Sequence, residues 1–343
     1  MQAANDQCKS QEKSENRYNV NSNICCQNDV CSVSRGIERA NYILDQGGDV
    51  PMETGPPLLP SWYDHQLICK GQQYFTDNIF AMFVAALSGL TVLLSVPSIL
   101  KILRNTNRSS KPASAYKRYY ETIVHMMHWY QSDMRNPNSK GRQSVAIVRK
   151  MHENAVKNVG PITQKDLALT QFGFIGMAIV AQDKLGLPKD NRSLIHFWRV
   201  MGHLMGIQDK FNLFSGCERC TIVACKELSR RIFIPGIDQP IEHYNSMCSA
   251  LLTGMWPLVP AMNPEAYFEF TRRLLDCPAR KLSIIPTISL YSQIFIHYLI
   301  KLPIISLILL PWLNFQIWLT LFVQNTIPIL AFYAFRYSWR GDV

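Results

Sequence analysis

His152 is the residue whose type and surroundings first suggest chemistry, because imidazole binds metals and cofactors. The apolar residues around it recur at helical spacing: Val145, Val148, Met151 and Val156. This spacing predicts that His152 lies on a buried helix. A single histidine on an apolar helix face is usually a core residue whose ring nitrogens bond to neighbouring groups, so His152 taken alone leaves both interpretations open.

Arg118 and Thr122 form a second candidate pair. They lie four residues apart in the stretch 116–130, whose apolar positions predict a helix, so both side chains share one face. Taken alone, the arginine fits an exposed interfacial charge and the threonine a hydroxyl bonded back to its own helix. His125 and His128 on the same helix could bind a metal from one face, but no carboxylate-rich motif accompanies them.

The elements that must position these residues are predicted to be helices. Thr163 followed by Asp166 predicts a capped helix start, and that helix should end at Gly186. Further helices are predicted over 192–207 and 248–255 from their apolar spacing.

Three cysteines lie between these last two helices, in a segment predicted to be a loop: Cys217, Cys220 and Cys225. One CxxC motif and a third cysteine supply fewer than the four ligands of a closed zinc site, so a disulfide or thiols are favoured. The first residues are polar and lack the apolar segment of a signal peptide, so the sequence leaves the redox compartment open.

The composition favours a membrane over nucleic acid as a partner. Of the 343 residues, 17% are charged, against about 25% in an average soluble domain. The net charge is +10, but the basic residues are scattered and no segment resembles a nucleic-acid-binding module. The marked cluster follows a long apolar segment and fits an anionic membrane surface: Lys101, Arg104, Arg108, Lys111, Lys117 and Arg118.

The chain is predicted to have three parts. Residues 1–58 are polar and aperiodic, which predicts a disordered arm. Residues 59–280 form the central domain, in which the uncharged segment 78–100 could span a bilayer but is favoured as a buried helix. Residues 281–343 form a hydrophobic C-terminal region that would cross a membrane once or twice, or lie in it as a hairpin. Its prolines are predicted to break it into shorter helices: Pro286, Pro303, Pro311 and Pro328.

Several blocks in order resemble the catalytic domain shared by the rubber oxygenases (latex clearing proteins) and the endoplasmic-reticulum-bound MpaB-type oxygenases. Arg118-x-x-x-Thr122 is followed by His152 in the block Arg149-Lys150-Met151-His152-Glu153. Two longer blocks, 162–174 and 197–212, match in the expected order. The resemblance covers roughly residues 60 to 275. It therefore implies that the central domain, residues 59–280, is the catalytic domain.

The resemblance implies an all-α fold that encloses a b-type haem, followed by a hydrophobic C-terminal helical tail. His152 would be the proximal iron ligand, and Arg118 and Thr122 would lie near the haem. The implied activity is that of a haem b-dependent oxygenase that uses O2 to cleave a C=C bond in a lipophilic substrate, such as an isoprenoid. The implied location is a membrane, that of the endoplasmic reticulum, with membrane lipid as a partner; the oligomeric state stays open.

Two positions depart from the family pattern. Some rubber oxygenases carry a lysine directly before the motif threonine, where this chain has Glu121. They also carry a glutamate sixteen residues before the motif arginine, where this chain has Ile102. These departures motivate an alternative function, a non-catalytic haem- or lipid-binding membrane protein.

Overall fold

A computed structural model describes residues 29–106, 108–327 and 329–335. The regular elements in these residues are helices, and the described chain contains no strand beyond an isolated bridge between Pro51 and Thr163. The all-α fold class predicted from the sequence is therefore confirmed.

The helices follow one another along the chain. The first six are α1 (Asp29–Gln46), α2 (His65–Asp77), α3 (Ile79–Leu93), α4 (Pro97–Asn105), α5 (Pro112–Gln131) and α6 (Lys140–Asn158). The next five are α7 (Gln164–Gln171), α8 (Met177–Val180), α9 (Gln182–Leu185), α10 (Arg192–Leu204) and α11 (Glu218–Leu228). The last are α12 (Ile234–Asp238), α13 (Tyr244–Gly254), α14 (Pro264–Leu274), α15 (Ile284–Ile300), α16 (Pro303–Thr326) and α17 (Ile329–Phe335). π-Helical turns at Phe172–Gly176 and Ser229–Phe233 precede α8 and α12.

These helices form two compact units, each built from three chain segments. The first unit comprises the described residues of 29–76, 122–172 and 190–228. The second comprises the described residues of 77–121, 173–189 and 229–335. The boundaries predicted from the sequence, after residues 58 and 280, stay predictions.

Stacked aromatic rings form the centre of the first unit. The ring of Tyr130 on α5 lies 3.7 Å from that of Phe75 and 4.4 Å from that of Phe197, centroid to centroid, and both pairs are nearly parallel. The Tyr130 hydroxyl accepts a hydrogen bond of 2.7 Å from the indole Nε1 of Trp198. Aromatic pairs of this kind each add about 1 kcal/mol beyond the area they bury, so they fix α2, α5 and α10 against one another.

A buried amide network joins α7 to α10 and the chain beyond it. Nε2 of Gln171 donates to the carbonyl of Trp198 (3.0 Å) and to Oδ1 of Asn212 (3.1 Å), while its Oε1 accepts from the Leu213 amide (3.1 Å). Gly202 permits this approach, since a Cβ there would lie 2.0 Å from Nε2 of Gln171. The blocks 162–174 and 197–212 are therefore linked by buried hydrogen bonds.

The capped start predicted at Thr163 is confirmed. The Thr163 hydroxyl accepts from the Asp166 amide, and the Asp166 carboxylate accepts from the Thr163 amide. The helical segment continues through α9 with breaks at the π turn and at Ala181, and it ends at Gly186, whose φ of 72° is left-handed.

The predicted disordered arm is wrong for the residues of α1. Ala40 and Ile43 are fully buried, and α1 packs along α11 so closely that a Cβ on Gly36 would lie 2.6 Å from Cβ of Val223. The buried stripe of α1 includes glycine and alanine, which hydrophobic periodicity does not reveal. Residues 1–28 of the predicted arm lie outside the described residues.

The segment 78–100 is largely buried, as favoured from the sequence. Within α3, Ile79, Ala85 and Val92 are fully buried. The segment does not form one continuous helix, because α3 ends at Leu93 and α4 begins at Pro97.

Helix α16 continues through Pro311, so the predicted break there is wrong. A proline inside a helix removes one amide donor, and the hydrogen bonds on both sides can continue the helix. Pro303 is the first residue of α16, and Pro286 lies in the first turn of α15, positions that helices accept. Pro328 lies outside the described residues.

Among the described residues, α16 is the one continuous helix that is long and apolar enough to cross a bilayer. Only 6% of its most apolar stretch of 18 residues is buried within the protein. Two polar side chains attach it to the second unit. Asn314 donates to the carbonyl of Asp77 (2.6 Å), and Gln324 accepts from the hydroxyl of Tyr116 (2.9 Å). The opposite side of α16 exposes large apolar residues: Ile304, Leu307, Ile308, Trp312, Phe315 and Phe322.

Candidate functional site

Helices α5 and α6 pack side by side in the first unit and position two of the three candidate residues. Oγ of Ser144 on α6 lies 2.8 Å from Nδ1 of His125 and accepts a 2.9 Å hydrogen bond from Nε1 of Trp129, both on α5. One turn earlier, the Gly141 amide donates to Oγ of Ser132 (2.8 Å). Residue numbers therefore rise along α6 as they fall along α5, so the two helices are antiparallel.

Thr122 and His152 lie on the same side of this helix contact. Thr122 precedes His125 by three residues on α5, and His152 follows Ser144 by eight residues on α6. At 1.5 Å per residue, these separations correspond to about 5 Å and about 12 Å along the two axes. The structure thus places both residues towards the same end of the α5–α6 pair.

His152 continues the buried stripe of α6. The buried residues of this helix are Gly141, Ser144, Val145 and Arg149, and His152 follows Arg149 at the next helical interval. The side chain is half-buried, and its Nδ1 atom is shielded from solvent. The prediction of a buried helix is confirmed for this face only, because Met151 is 42% exposed and Val156 36% exposed on the other face.

Arg149 anchors the part of α6 that carries His152. Its guanidinium is buried, and it donates to the carbonyl of Leu204 at the end of α10 (3.0 Å) and to the carbonyl of Glu53 (2.8 Å). Burial lowers the pKa of Arg149, and the charges of Glu153 and Glu53 oppose that effect. The sequence places Arg149 within a motif but does not reveal this role, because its partners lie far away along the chain.

A tight turn at Gly206 provides the surface to which Arg149 binds. Gly206 has a φ of +93°, and a Cβ there would lie 2.6 Å from the carbonyl oxygen of Glu53, so both conformation and space require glycine. The Gly206 carbonyl accepts from the Glu53 amide (3.0 Å) and from Nε2 of the fully buried Gln164 (3.0 Å). Gln164 is another positioning residue that the sequence did not reveal.

Arg118 lies one helical turn before Thr122 on α5 and belongs to the second unit. Its Nη1 donates to Oγ1 of Thr106, the residue that follows α4, at 2.8 Å. Burial lowers the pKa of Arg118; Tyr119 acts in the opposite direction and the nearby Arg108 in the same direction. The Arg118 side chain is therefore half-buried and hydrogen-bonded within the protein, and is not an exposed interfacial charge.

Glu121 and Ile102, which stand at the two positions that depart from the family pattern, both belong to the second unit, as Arg118 does. Glu121 forms an ion pair with Arg108. Ile102 lies on α4 and is half-buried. Arg118 thus binds a partner within the protein, whereas Arg108 stays exposed in its ion pair with Glu121.

The described residues contain no group of three or more His, Cys, Asp or Glu side chains that could hold a metal ion. Of the two further histidines on α5, His125 is buried beside Ser144, and His128 is half-buried with a pKa lowered by burial. The described residues thus show no cluster that could bind a metal ion through protein side chains alone.

Residues 72–212 match the family model described as ER-bound oxygenase mpaB/B'/Rubber oxygenase, catalytic domain. The matched interval contains Arg118, Thr122 and His152. No curated protein matches the chain. Among solved structures, the chain is similar to "Structure of Latex Clearing Protein LCP in the closed state", with 16% identity, a TM-score of 0.45, and coverage of 86% of this chain and 88% of that chain. Residues 72–212 therefore resemble the catalytic domain of the ER-bound mpaB/B' oxygenases and rubber oxygenases, and the resemblance predicted from the motifs is confirmed over this interval.

Proposed function

We propose that this protein is a membrane-associated, haem b-dependent oxygenase that cleaves a C=C bond of a lipophilic, isoprenoid-like substrate with O2. The observation that carries the proposal is the family match over 72–212, which includes all three motif residues. The oxygenase class follows from the family. The haem, the cleavage reaction and the substrate are the proposed part.

The side chains available fit a haem better than a metal bound by the protein alone. A haem would bring most of the ligands of its iron itself, so the protein would need to supply one imidazole. His152 suits this role because Nδ1 is shielded from solvent while the side chain as a whole is only half-buried. The part of the ring that remains accessible is therefore not Nδ1, which leaves Nε2 as the proposed ligand atom.

Arg118 fits the anionic edge of a haem. Burial makes its positive charge costly, and an ionised propionate would offset that cost by a charge-assisted hydrogen bond. Oγ1 of Thr106 already orients the guanidinium. Thr122, one turn along the same face of α5, would donate its hydroxyl proton to a polar atom of the bound group.

Bound haem b would supply the iron at which dioxygen is activated. The chain would hold this group through His152, orient it through Arg118 and Thr122, and keep α6 in position through Arg149. The family pattern locates none of the substrate-binding residues in this chain, so the substrate class rests on the resemblance alone.

Membrane association is supported by α16. Its 24 residues carry no charge, and at 1.5 Å per residue they extend about 36 Å, enough for a hydrocarbon core of about 30 Å. A lipophilic substrate would be dissolved in the same membrane. The endoplasmic reticulum is proposed as the location because the description of the family names it.

The direct test is the absorption spectrum and haem-to-protein ratio of the detergent-purified full chain, compared with His152→Ala. We expect a Soret band in the wild-type protein that is lost or shifted in the variant, because the axial ligand is removed. His128→Ala is the matched control, since His128 is also half-buried and lies on the neighbouring helix α5. Its spectrum should equal that of the wild type.

Absence of haem from a folded wild-type protein supplied with haem would refute the proposal. Equal spectra for the wild type and His152→Ala would refute His152 as the ligand. The alternative, a non-catalytic haem- or lipid-binding protein, is favoured by one observation: Glu121 stands in place of a lysine and forms an ion pair with Arg108. Oxygen consumption with isoprenoid substrates separates the two functions, since a binding protein would bind without turnover.

A further inference from the structure

Cys217 and Cys220 bring two sulfur atoms together at the start of α11 in the first unit. Their Sγ atoms lie 3.3 Å apart, and neither residue is in a disulfide. A disulfide bond is about 2.05 Å long, so the two sulfur atoms would need to approach by about 1.3 Å. The sequence prediction of a loop here is wrong for Cys220 and Cys225, which lie on the helix Glu218–Leu228. A helix fixes the spacing of the pair in a way that a loop would not.

The two thiols differ in accessibility. Cys217 is partly exposed and directly precedes the first residue of α11, whereas Cys220 is 1% exposed. Cys217 is therefore the more accessible of the two residues, and a reagent would reach Cys220 by way of Cys217. This is the arrangement of an attacking thiol with a resolving thiol behind it.

Groups with full or partial positive charge lie near Cys217. The Cys220 amide donates to Sγ of Cys217 at 3.4 Å, and the amide groups at a helix amino terminus stabilise negative charge. The Arg39 guanidinium, held by the Asn212 carbonyl at 3.1 Å, lies 3.6 Å from the Cβ position of Gly216, the residue before Cys217. Glu218 opposes these effects, but its carboxylate accepts a hydrogen bond from the Asn191 amide (2.9 Å).

We propose that Cys217 and Cys220 form a redox-active dithiol that undergoes thiol–disulfide exchange with a small-molecule disulfide. This site is separate from the proposed haem chemistry and does not depend on it.

The exchange proceeds in two steps. The Cys217 thiolate, having released its proton to solvent, attacks one sulfur of the disulfide RSSR. The Cys217–S–S–R bond forms as the RS–SR bond breaks, and RS⁻ leaves and takes a proton. Sγ of Cys220, losing its proton to solvent, then attacks Sγ of Cys217 and expels the second RS⁻, which is also protonated. In sum, the protein dithiol is oxidised by two electrons to a disulfide, and RSSR is reduced to two RSH.

The other described cysteines do not share this geometry. Burial raises the pKa of Cys225, which is fully buried, and raises that of Cys248 to about 12. Cys277 is also buried, with a raised pKa. Cys69 is already disulfide-bonded. Exchange is therefore expected at Cys217 and Cys220 ahead of these residues.

The test uses the full chain in detergent, equilibrated in buffers of oxidised and reduced glutathione, followed by alkylation and trypsin digestion without reduction. Trypsin cleaves after Arg219, between the two cysteines, so their disulfide joins peptides 211–219 and 220–226. We expect this linked pair in the oxidising buffer and its disappearance in the reducing buffer. The proposal is overturned if the linked pair never forms, or if Cys217 carries only glutathione while Cys220 is alkylated.

Two variants assign the sulfur atoms. Peptide 220–226 also contains Cys225, so Cys225→Ala should retain the linked pair, and loss of the pair in that variant would overturn the assignment to Cys220. Cys220→Ala should stop the reaction at the mixed disulfide, with one glutathione on Cys217. Because the main result is read on the wild-type chain, a variant that fails to fold leaves the test intact.

Discussion

Arg149 is the residue on which the position of His152 depends most directly. Its two hydrogen bonds are donated to the carbonyl groups of Leu204 and Glu53. Among the described residues, no other side chain is seen to donate a hydrogen bond to these two groups. Arg149→Met keeps an unbranched apolar side chain and removes both donors. We expect the free energy of unfolding to fall by about 3 kcal/mol, and haem affinity to fall although His152 is intact. Denaturant unfolding and haem titration measure the two effects.

Lys150→Met is the matched control for that change. Lys150 is the next residue on α6 and is exposed, so its substitution removes a positive charge without removing a buried hydrogen bond. Stability and haem affinity should both stay close to wild type. Equal effects of the two substitutions would show that charge on α6, and not the anchoring at Arg149, is what matters.

His196 is expected to make the stability of the first unit depend on pH. Its Nε2 accepts from the Asp64 amide (3.1 Å), which requires the neutral ring, and burial lowers its pKa to about 4. Asp64 opposes this shift and Arg199 adds to it. Since the folded-state pKa lies below the ordinary value of 6.5, the stabilisation is complete above pH 6.5 and is lost as the pH falls towards 4.

The measurement is the midpoint temperature of thermal unfolding of the wild type and of His196→Gln between pH 7 and pH 4, a range that includes the ordinary histidine pKa of about 6.5. Glutamine can still accept from the Asp64 amide but does not titrate. The wild-type midpoint should fall more steeply with acidity, by an amount equivalent to at most about 3 kcal/mol, since one pKa unit corresponds to about 1.4 kcal/mol. Parallel curves would show that His196 is not the group responsible.

At the scale of elements, α16 makes the sharpest prediction. Phe315 lies near the middle of this helix and is 54% exposed, on the side that would face lipid. Phe315→Lys places a charge there, which costs about 3 kcal/mol in a bilayer centre. We expect a larger fraction of the protein to be extracted from membranes by alkaline carbonate.

Thr326→Lys adds the same charge at the last residue of α16, where a lysine can extend to the interface. Its extraction should match that of the wild type. If the central lysine has no more effect than the terminal one, α16 does not cross the membrane.

The elements predicted well were those with strong local signals. The capping pair at Thr163 and the apolar faces of α5 and α10 predicted their helices, because capping and periodicity are properties of a few consecutive residues. Helix α1 was missed because small residues such as Gly36 bring it close to α11, and a small residue carries no hydrophobic signal. Helix α11 was missed because its cysteines suggested a loop.

The candidate site divides in the same way. Motif spacing identified His152, Arg118 and Thr122 as residues worth examining. It could not reveal that Arg149 is held by carbonyl groups of Leu204 and Glu53, since those contacts join three distant parts of the chain. Long-range hydrogen bonds of this kind depend on the folded arrangement and leave no pattern in a single sequence.

At the scale of the whole molecule, the net charge of +10 predicts attraction to anionic membranes. Four members of the basic cluster are exposed on the second unit; Arg108 is paired with Glu121, and the other three are Lys101, Arg104 and Lys111. Changing these three to Glu should weaken binding to vesicles that contain phosphatidylserine, and have little effect on neutral vesicles. Flotation at low and high salt measures this, and salt should reduce the difference.

A matched triple variant separates position from net charge. Lys150, Lys157 and Lys210 are exposed on the first unit, and changing them to Glu alters the net charge by the same amount. We expect this variant to bind anionic vesicles more strongly than the variant of the second unit. Equal loss in both would mean that total charge, and not the cluster, directs binding.

The interleaving of the two units determines when they can form during synthesis. The first unit needs residues up to 228, and the second needs its last helices, yet the chain passes between the units five times. Neither unit can be completed as an independent amino-terminal domain during synthesis. Apolar helices made early therefore stay partly exposed to solvent until the later segments of the same unit have been synthesised. A fragment limited to residues 72–212 would lack segments of both units. The interval that matches the family model is therefore not expected to fold as an independent domain.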